Sequence, residues 1–483
     1  MKYSFPDNKI LVFLIFIFSL ACQSSNNAAD QPGSIRHLTI LYTNDEHGWL
    51  IREESIGGAS ELMYQWITTE GYSDTEPFLI LSGGDNWTGP AISTWFQGES
   101  TVEIMNAIGY DAAAIGNHEF DFSQDGLQTR VDQAEFPYLS ANMRSESTGE
   151  IAQPALPYTI RVVNDIVVGI IGLTTMVADD INFPDNVQDI DFVDYQTALD
   201  EIVPEVENEG AELIIVISHM GSYEMTNLLP VLESYNIALI GGGHTHEKVA
   251  NIQNGIAVIE GGSYFSAYAR TDIDFDIEAD SVVSISVSVH DNYASGQDDE
   301  ISDIIANWQA QLDAQLSTPI GYVSESISRY SDPMYNLIPD AWLWAYPDAD
   351  VALTNRGGLR QDLPAGVITI ETWVGILPFE NFLVEMTLTG NELITGIGNL
   401  VVGGMTTLPD YQLADGTAIN PDSTYRVLTT DYVYSTSSLF SQFDDNPLEL
   451  AIHWRQPVIE WIQSLNTSET DPLENYLDYT PRQ

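Results

Sequence analysis

The chain has 483 residues, 44% of them hydrophobic and 10% aromatic, so it is expected to fold into two globular domains and not to be largely disordered. Its 71 Asp and Glu residues against 15 Lys and Arg give a formal net charge of −56, which repels phosphate backbones, so we expect no nucleic-acid polymer as a partner. This acidity is typical of a protein adapted to high salt and equally of an acidic secreted protein, and the sequence does not separate the two.

The first predicted element is a signal peptide over residues 1–22. Its apolar stretch, Ile10–Leu20, is too short to span a bilayer and has the length of a signal-peptide core. Cys22 is the only cysteine, which excludes an internal disulfide, and it resembles the lipidated cysteine of a bacterial lipoprotein signal. Residues 23–35 are polar and predict a flexible tether. We therefore expect an exported protein, periplasmic or on the cell surface, with a lipid anchor in the membrane; an ordinary cleaved signal is the alternative.

Strand-like and helix-like segments alternate over residues 36–297, which predicts a first α/β domain. Apolar runs predict buried strands at His37–Thr43, Phe78–Ser82, Asp111–Ile115, Leu213–Ile217 and Ile237–Ile240. Residues 298–319 have helical spacing and predict a linker helix, or alternatively the last helix of the first domain. Further helix-like and strand-like runs over residues 320–483 predict a second α/β domain.

Each of these five predicted strands is followed directly by a short polar cluster. The clusters are Asp45-Glu46-His47, Gly84-Asp85-Asn86, Asn117-His118-Glu119, Ser218-His219 and His244-Thr245-His246. In open α/β sheets, functional sites form beyond the carboxyl ends of the strands. The five clusters therefore predict a single site rich in Asp, His and Asn.

The clusters together offer seven metal ligands, namely Asp45, His47, Asp85, Asn117, His219, His244 and His246. Seven ligands exceed the needs of one tetrahedral zinc, so with one carboxylate shared they predict two divalent ions about 3.5–4 Å apart. Nitrogen and oxygen ligands without thiolate suit Zn, Mn, Fe or Co, and the sequence does not choose among them. We expect His118 to face the leaving group, with Asp121 holding its other ring nitrogen.

In their order along the chain, the clusters resemble the signature of the calcineurin-like metallophosphoesterases. The blocks that carry the resemblance are Asn44-Asp45-Glu46-His47-Gly48, Gly83-Gly84-Asp85, Gly116-Asn117-His118-Glu119-Phe120-Asp121, Ser218-His219 and Gly243-His244-Thr245-His246. They are similar above all to the bacterial periplasmic 5′-nucleotidases, a family that includes UDP-sugar hydrolases and 2′,3′-cyclic-nucleotide phosphodiesterases. The resemblance implies a four-layer α-β-β-α metallophosphoesterase sandwich followed by a C-terminal α/β substrate-binding domain. It also implies attack of a metal-activated hydroxide on a phosphate ester, with His118 and Asp121 as the catalytic pair and Asn117 also contacting substrate.

The second domain extends the resemblance through a glycine-rich loop, Asn355-Arg356-Gly357-Gly358-Leu359-Arg360, and through the turn Leu377-Pro378-Phe379-Glu380-Asn381. Two guanidinium groups in such a loop suit bidentate contact with phosphate or carboxylate. The family likeness implies that Asn355, Arg356 and Arg360 bind substrate. It further implies that Phe379 and Tyr432 stack against a nucleobase.

The surroundings of the expected base differ from the family pattern at three places. Ser435–Ser438 stands where Gly-Gly-Asp is usual, and Tyr335 and Glu380 each replace a glycine. We expect a nucleotide as the small-molecule phosphoester substrate, with a 2′,3′-cyclic nucleotide, a UDP-sugar or a sulfur-compound ester as alternatives. A non-catalytic surface-binding lipoprotein that kept the fold is the other possibility, and no protein partner can be inferred.

Overall fold

The computed structural model describes residues 33–51, 57–73, 75–293 and 296–482. The predicted signal peptide, Cys22 and most of the predicted tether lie outside these residues. Within the described part of the chain, no helix combines the length and the apolar character that a membrane crossing requires.

The strands of the first domain are β1 (Ile35–Thr43), β2 (Phe78–Ser82), β3 (Ala112–Ala114), β4 (Tyr138–Leu139), β5 (Met143–Ser145), β6 (Tyr158–Val163), β7 (Ile166–Thr174), β8 (Ile190–Phe192), β9 (Leu213–His219), β10 (Leu239–Gly241), β11 (Lys248–Gln253), β12 (Ile256–Gly261), β13 (Ala267–Asp276) and β14 (Ser281–Asp291). Its helices are α1 (Ala59–Gln65), α2 (Ala91–Thr94), α3 (Glu99–Ile108), α4 (Ser123–Gln133), α5 (Ala178–Ile181), α6 (Tyr195–Asn208), α7 (Ser222–Ser234) and α8 (Asp299–Leu316). All five predicted apolar runs are strands, and their ends differ from the predicted ones by at most one or two residues.

Two six-stranded sheets face each other in the first domain, in the orders β14-β13-β1-β2-β3-β4 and β11-β12-β10-β9-β7-β6. Side chains alternate between the two faces of a strand, so Leu38 and Ile40 of β1 pack against Ile215 and Ile217 of β9 in the layer between the sheets. The intervening Leu41 points outward and packs against helices. Burial of β1 on both faces explains why its sequence is an almost continuous apolar run.

Helices cover the outer face of each sheet. Helices α1, α3 and α4 bury residues such as Leu62, Val102 and Leu127 against the first sheet. Helices α6 and α7 bury Leu199 and Leu228 against the second sheet. The four layers are therefore α-β-β-α, as the family resemblance implies.

Helix α8 begins at the cap residue Asp298, whose carboxylate accepts a hydrogen bond from the backbone N–H of Ile301. Trp308 and Leu312 of this helix are buried in the helical layer of the first domain. The same layer includes Val374 of the second domain, so α8 contacts both domains. Helix α8 therefore packs in the helical layer of the first domain and also contacts the second.

The strands of the second domain are β15 (Pro319–Val323), β16 (Val351–Thr354), β17 (Gly366–Thr369), β18 (Phe382–Thr389), β19 (Val401–Gly403), β20 (Met405–Thr406), β21 (Gln412–Leu413), β22 (Thr424–Thr430) and β23 (Leu448–His453). Its helices are α9 (Asp332–Ala345), α10 (Ile370–Ile376), α11 (Gly390–Gly396), α12 (Asp431–Thr436), α13 (Phe440–Phe443) and α14 (Gln456–Leu465). A five-stranded sheet in the order β19-β16-β22-β18-β23 forms its centre. Helices α9, α10 and α14 cover one face, and α11, α12 and α13 cover the other.

Candidate active site

The polar clusters at the five strand ends meet at one edge of the sandwich. Strands β1, β2 and β3 are parallel neighbours in the first sheet, and β9 and β10 are parallel neighbours in the second. Parallel strands end at the same edge, which places their following loops side by side. Two groups of predicted ligands result, each with its ligand atoms within 4.8 Å of one another: Asp45, His47 and His246, and Asp85, His219 and His244.

His47 and Asp85 connect these two groups. His47 Nε2 lies 3.8 Å from Asp45 Oδ1 and 3.9 Å from Asp85 Oδ2. Asn117 Oδ1 lies 3.1 Å from His244 Nδ1, which adds the seventh predicted ligand to the second group. The structure therefore brings all seven predicted ligands together as two adjacent groups.

The buried histidines have the tautomer that a metal ligand needs. His47 Nδ1 is hydrogen-bonded to the carbonyl oxygen of Thr88 at 2.9 Å, and His219 Nδ1 to that of Gly83 at 2.8 Å. A carbonyl only accepts, so each Nδ1 carries the proton and each Nε2 can offer a lone pair. His47 Nε2 is buried and has no hydrogen-bond partner among the described residues, whereas His219 Nε2 faces Asp85 Oδ2 at 2.9 Å. A divalent ion would satisfy the orphaned His47 nitrogen, and another would take the place of the proton between His219 and Asp85, so the residues present fit a dimetal site.

The electrostatics of the cluster favour a positive charge at its centre. Burial lowers the pKa of the His219 imidazole, but the carboxylate of Asp85 beside it outweighs burial and raises that pKa to about 10. Burial conversely raises the pKa of Asp85, but the neighbouring His219 and His118 hold it well below its usual range. A divalent ion would replace the proton on His219, because metal ligands bind in their deprotonated form.

Five of the ligands have a left-handed backbone, which non-glycine residues rarely adopt. They are Asp45 (φ 52°), His47 (φ 46°), Asp85 (φ 59°), His244 (φ 72°) and His246 (φ 57°). Such conformations cost free energy and cluster at functional sites, where surrounding contacts hold them. The clustering of these conformations therefore supports a functional role for the loops at this edge.

Glu119 is a supporting residue to which the sequence analysis assigns no role. Its buried carboxylate accepts hydrogen bonds from the backbone N–H groups of Gly116 at 2.6 Å, Asp85 at 2.8 Å and Asn86 at 2.7 Å. These bonds join the loop after β3 to the loop after β2. Glu119 therefore positions Asp85, the carboxylate that lies between the two ligand groups.

Asn44 supports the other carboxylate and is also missing from the predicted site. Its amide nitrogen donates to Asp45 Oδ2 at 2.7 Å, and its amide oxygen accepts from the backbone N–H of Gly261 at 2.6 Å. Asn44 thereby anchors the loop after β1 to the end of β12. Its place in the Asn44–Gly48 block was the only sequence signal that pointed to it.

His118 and Asp121 form the predicted pair. His118 Nδ1 lies 2.7 Å from Asp121 Oδ2, and the backbone N–H of His118 donates to Asp85 Oδ1 at 2.7 Å. Burial lowers the pKa of His118, but the Asp121 carboxylate outweighs it and the pKa is raised. The imidazole stacks on Phe379 of the second domain, with ring centroids 5.8 Å apart. His118 can therefore carry a proton at the boundary between the metal-ligand groups and the second domain.

A cavity of about 590 Å³ opens beside His118 and is lined by both domains. Its walls include Asn117, His118, Asp121 and His244 from the first domain and Asn355, Arg360, Phe379 and Tyr432 from the second. The hydroxyl of Tyr432 donates to the carbonyl oxygen of Ile181 at 3.0 Å, which ties the two walls together. Both predicted aromatic side chains thus line the space next to the ligand groups.

The two predicted arginines lie in different surroundings. Arg360 lines the cavity, and its guanidinium carbon lies 5.7 Å from the Phe379 ring centroid. Burial lowers the pKa of His47, and the positive charge of Arg360 lowers it further. Arg356 instead lies over the ring of Tyr335 at 4.4 Å and is not among the residues that line the cavity.

The residues that depart from the family pattern have distinct positions. None of the side chains in Ser435–Ser438 lines the cavity, and Ser435 lies in the last turn of α12. Tyr335 is the ring beneath Arg356. Glu380 lines the cavity, and its carboxylate accepts a hydrogen bond from Arg455 Nη2 at 2.5 Å.

Comparison with known proteins matches a segment of each domain to a described family. Residues 38–248 match the family described as calcineurin-like phosphoesterase, and residues 314–413 match the 5′-nucleotidase C-terminal domain. A 5′-nucleotidase of Vibrio parahaemolyticus is 28% identical over 415 residues, covering 74% of this chain and 73% of that protein. Endonuclease YhcR of Bacillus subtilis is 29% identical over 452 residues, covering 82% of this chain but only 37% of the relative, so the chain spans well under half of that protein.

The fold has solved counterparts. The crystal structure of a 5′-nucleotidase precursor from Thermus thermophilus superposes with a TM-score of 0.78 at 21% identity, covering 92% of this chain and 99% of that one. This similarity agrees with the four-layer sandwich and the C-terminal α/β domain described above. The chain belongs to the calcineurin-like phosphoesterases that carry a 5′-nucleotidase C-terminal domain, a family of metal-dependent phosphoester hydrolases.

Proposed function

We propose that the protein is an extracytoplasmic dimetal phosphohydrolase that removes phosphate from nucleotides. The observation that carries this proposal is the placement of two adjacent ligand groups beside a cavity whose lining includes Arg360 and the two predicted aromatic rings, Phe379 and Tyr432. The ligand groups suit the phosphate end of a nucleotide, and the aromatic rings suit its base. The names of relatives such as the 5′-nucleotidase of Vibrio parahaemolyticus point to the same substrate class.

The metal ions would be held by the seven predicted ligands, Asp45, His47, Asp85, Asn117, His219, His244 and His246. When bound, two divalent ions polarise phosphoryl oxygens and lower the pKa of water. The protein's own residues place the ligands: carbonyl groups orient His47 and His219, and Glu119 holds the backbone at Asp85.

His118 would give a proton to the leaving oxygen. Its Nδ1 is engaged by Asp121 at 2.7 Å, which leaves Nε2 as the nitrogen that can donate to substrate. Asp121 stabilises the positive imidazolium and fixes its ring orientation. Asn117, on the same cavity wall, can contact the phosphoryl group as well as a metal ion.

The second domain would bind the remainder of the nucleotide. Arg360, which lines the cavity, would contact phosphate oxygens, since a guanidinium can donate two parallel hydrogen bonds to them. Phe379 and Tyr432 would stack on the base, and Asn355 lies on the same wall. Arg356 would contribute less, because it is not among the residues that line the cavity.

The N-terminal sequence supports an exported, lipid-anchored location. Residues 1–22 have the pattern of a lipoprotein signal that ends at Cys22, so the catalytic domains would be tethered to the membrane by residues 23–35. Labelling of intact cells with a radioactive fatty acid tests the anchor. Incorporation into the wild-type protein and its loss in Cys22→Ser are expected, and equal labelling of both would contradict the anchor.

A substrate panel tests the enzymatic proposal. The protein is reconstituted separately with Zn, Mn, Fe and Co and offered AMP, ATP, UDP-glucose, 2′,3′-cyclic AMP and nitrophenyl phosphate. We expect nucleotide hydrolysis with a kcat/KM about tenfold or more above that for nitrophenyl phosphate, because the second domain adds contacts to the nucleoside. Hydrolysis of nitrophenyl phosphate alone would retain the proposed chemistry and reject nucleotides as the substrate. No hydrolysis with any metal would favour the non-catalytic binding protein.

A further inference from the structure

His246 is the least constrained of the four histidines among the predicted metal ligands. Its side chain is 31% exposed, whereas those of His47 and His219 are 1% and 0% exposed. Each of the other three histidines has a hydrogen bond at Nδ1, which fixes the ring. Neither ring nitrogen of His246 has a hydrogen bond within the described part of the chain, and its Nε2 lies 3.3 Å from Asp45 Oδ1, an atom of another predicted ligand. A different contact must therefore set the orientation of this imidazole.

The backbone around His246 is held by Glu260, a buried residue of β12. One oxygen of its carboxylate, Oε2, accepts hydrogen bonds from the Thr245 hydroxyl at 3.1 Å and from the backbone N–H of Glu247 at 3.2 Å. These two contacts lie on either side of His246 in the chain. They fix the course of the backbone, but they do not set the side-chain torsions of His246.

The imidazole of His246 has ring contacts with His47 and Tyr264, and of these two only Tyr264 is not itself a predicted ligand. The centroids of the Tyr264 and His246 rings are 5.2 Å apart at an interplanar angle of 85°, which is the edge-to-face arrangement that aromatic rings favour. The Tyr264 ring also lies 5.7 Å from that of His47 and 5.2 Å from that of the buried Trp49. Tyr264 therefore contacts both histidines of one ligand group.

The turn that carries Tyr264 is anchored on the ligand loop. Tyr264 and Phe265 both have a left-handed backbone, with φ of 61° and 54°, which non-glycine residues rarely adopt. The backbone N–H of Tyr264 donates to the carbonyl oxygen of Asp45 at 2.8 Å, and the side chain of Phe265 is buried. Such conformations cost free energy and persist where surrounding contacts hold them, as these contacts do. The position of the Tyr264 ring is thus fixed by the fold.

We propose that Tyr264 is a positioning residue of the metal site, whose ring sets the orientation of the His246 imidazole. The inference rests on the proposed dimetal site and assigns a role to a residue outside the seven ligands. Because the ring restricts rotation of the partly exposed imidazole, less rotational freedom is lost when an ion binds at the group that contains His246. The effect should be confined to that group, since Tyr264 has no ring contact with His219 or His244 among the described residues.

Metal titration of matched variants tests this role. Tyr264→Asn removes the ring and introduces a residue that tolerates the left-handed backbone, and Tyr264→Phe keeps the ring. The metal-free proteins are titrated with Co²⁺ against a competing chelator, and the visible absorption of bound cobalt reports each ion. We expect Tyr264→Asn to weaken the binding of one ion about tenfold or more, as for loss of an outer-shell partner, and of the other by less than about threefold. Tyr264→Phe should keep both affinities within about twofold of wild type.

Tyr479→Asn is the control, because Tyr479 is an exposed tyrosine of the second domain that does not line the cavity. This variant should leave both affinities unchanged. Equal weakening of both ions by Tyr264→Asn would make Tyr264 a purely structural residue and reject the proposal. The same loss in Tyr264→Phe would assign the effect to the hydroxyl group and reject the role of the ring. If Tyr264→Asn fails to fold, Tyr264→Leu, which fills the space without an aromatic ring, gives the same test.

The titration also separates this inference from the proposed hydrolysis, because it requires no turnover. Selective weakening of one ion supports the role of Tyr264 even if no phosphate ester is hydrolysed, which would reject the enzymatic proposal alone. Unchanged affinities in Tyr264→Asn, with two ions bound by the wild-type protein, would reject the role of Tyr264 and leave the dimetal site in place. Fewer than two ions bound by the wild-type protein would reject the dimetal site and this inference with it.

Discussion

Replacement of His118 by alanine should slow hydrolysis without removing metal. The imidazole is held at Nδ1 by Asp121 at 2.7 Å, and it lines the cavity next to both ligand groups. The backbone N–H of residue 118, which donates to Asp85 Oδ1 at 2.7 Å, is retained in the variant, so the ligand loop should keep its conformation. The change therefore removes a proton donor and leaves the seven ligands in place.

The size of the effect depends on the leaving group. A positioned general acid contributes about 10²- to 10⁴-fold, and most when the leaving oxygen is strongly basic. We expect a loss of that size in kcat with AMP, whose leaving group is an alcohol, and less than about tenfold with nitrophenyl phosphate, whose phenolate departs without a proton. Asp121→Asn should cost about 10- to 100-fold with AMP, because it removes the stabilising charge and keeps the histidine.

Two results would refute this reasoning about His118. Equal loss with both substrates would show that the residue does not protonate the leaving group. Loss of bound metal, measured by mass spectrometry of the purified variant, would show that His118 is a metal ligand. This outcome is compatible with the structure, because a ring nitrogen of His118 lies within 4.8 Å of ligand atoms of His47 and Asp85.

Three further predictions follow from the cavity, the loops and the surface charge. Arg360→Ala should raise KM for AMP about tenfold and KM for nitrophenyl phosphate by less than about threefold. Arg356→Ala should change both KM values less, because of these two arginines only Arg360 lines the cavity. Equal effects of Arg360→Ala on the two substrates would contradict a role of Arg360 in nucleotide binding. Glu119→Gln should lower the free energy of unfolding, measured in urea, by about 2–3 kcal/mol, because it replaces a carboxylate that accepts three backbone hydrogen bonds. The control is Glu207→Gln at an exposed position, which should change the free energy of unfolding by less than about 0.5 kcal/mol. If the net charge of −56 reflects adaptation to salt, the melting temperature should rise between about 0.1 M and 1 M KCl, as screening shortens from about 10 Å to 3 Å; no rise would favour an ordinary acidic protein.

The convergence of the seven predicted ligands could be expected from the sequence because each of them comes at or shortly after the end of an apolar strand. A strand end is recognised from a local run such as Phe78–Ser82, and parallel strands bring distant ends to one edge. The boundaries were less certain: β10 starts at Leu239, two residues after the predicted start at Ile237. These shifts did not matter, since the predicted ligands lie in the loops beyond the strands, except His219, which is the last residue of β9.

The supporting contacts could not be read from local patterns. Glu119 belongs to the Gly116–Asp121 block, but its role arises only because two loops bury it against three backbone N–H groups. Arg455 lies in no recognised motif, and its pairing with Glu380 joins residues 75 positions apart. Helix α8 was expected from its apolar spacing, but that spacing did not say whether Trp308 packs on the first domain or between the two.

Metal stoichiometry tests the central claim most directly. The protein is stripped with a chelator, reconstituted with one divalent metal at a time, and assayed for bound metal per chain together with phosphoester hydrolysis. Two metal ions per chain are predicted, with hydrolysis restored in parallel, and Asp85→Asn should lower the content of both. One ion per chain in the fully active protein, or full hydrolysis by the stripped protein, would contradict a dimetal site built from these seven ligands.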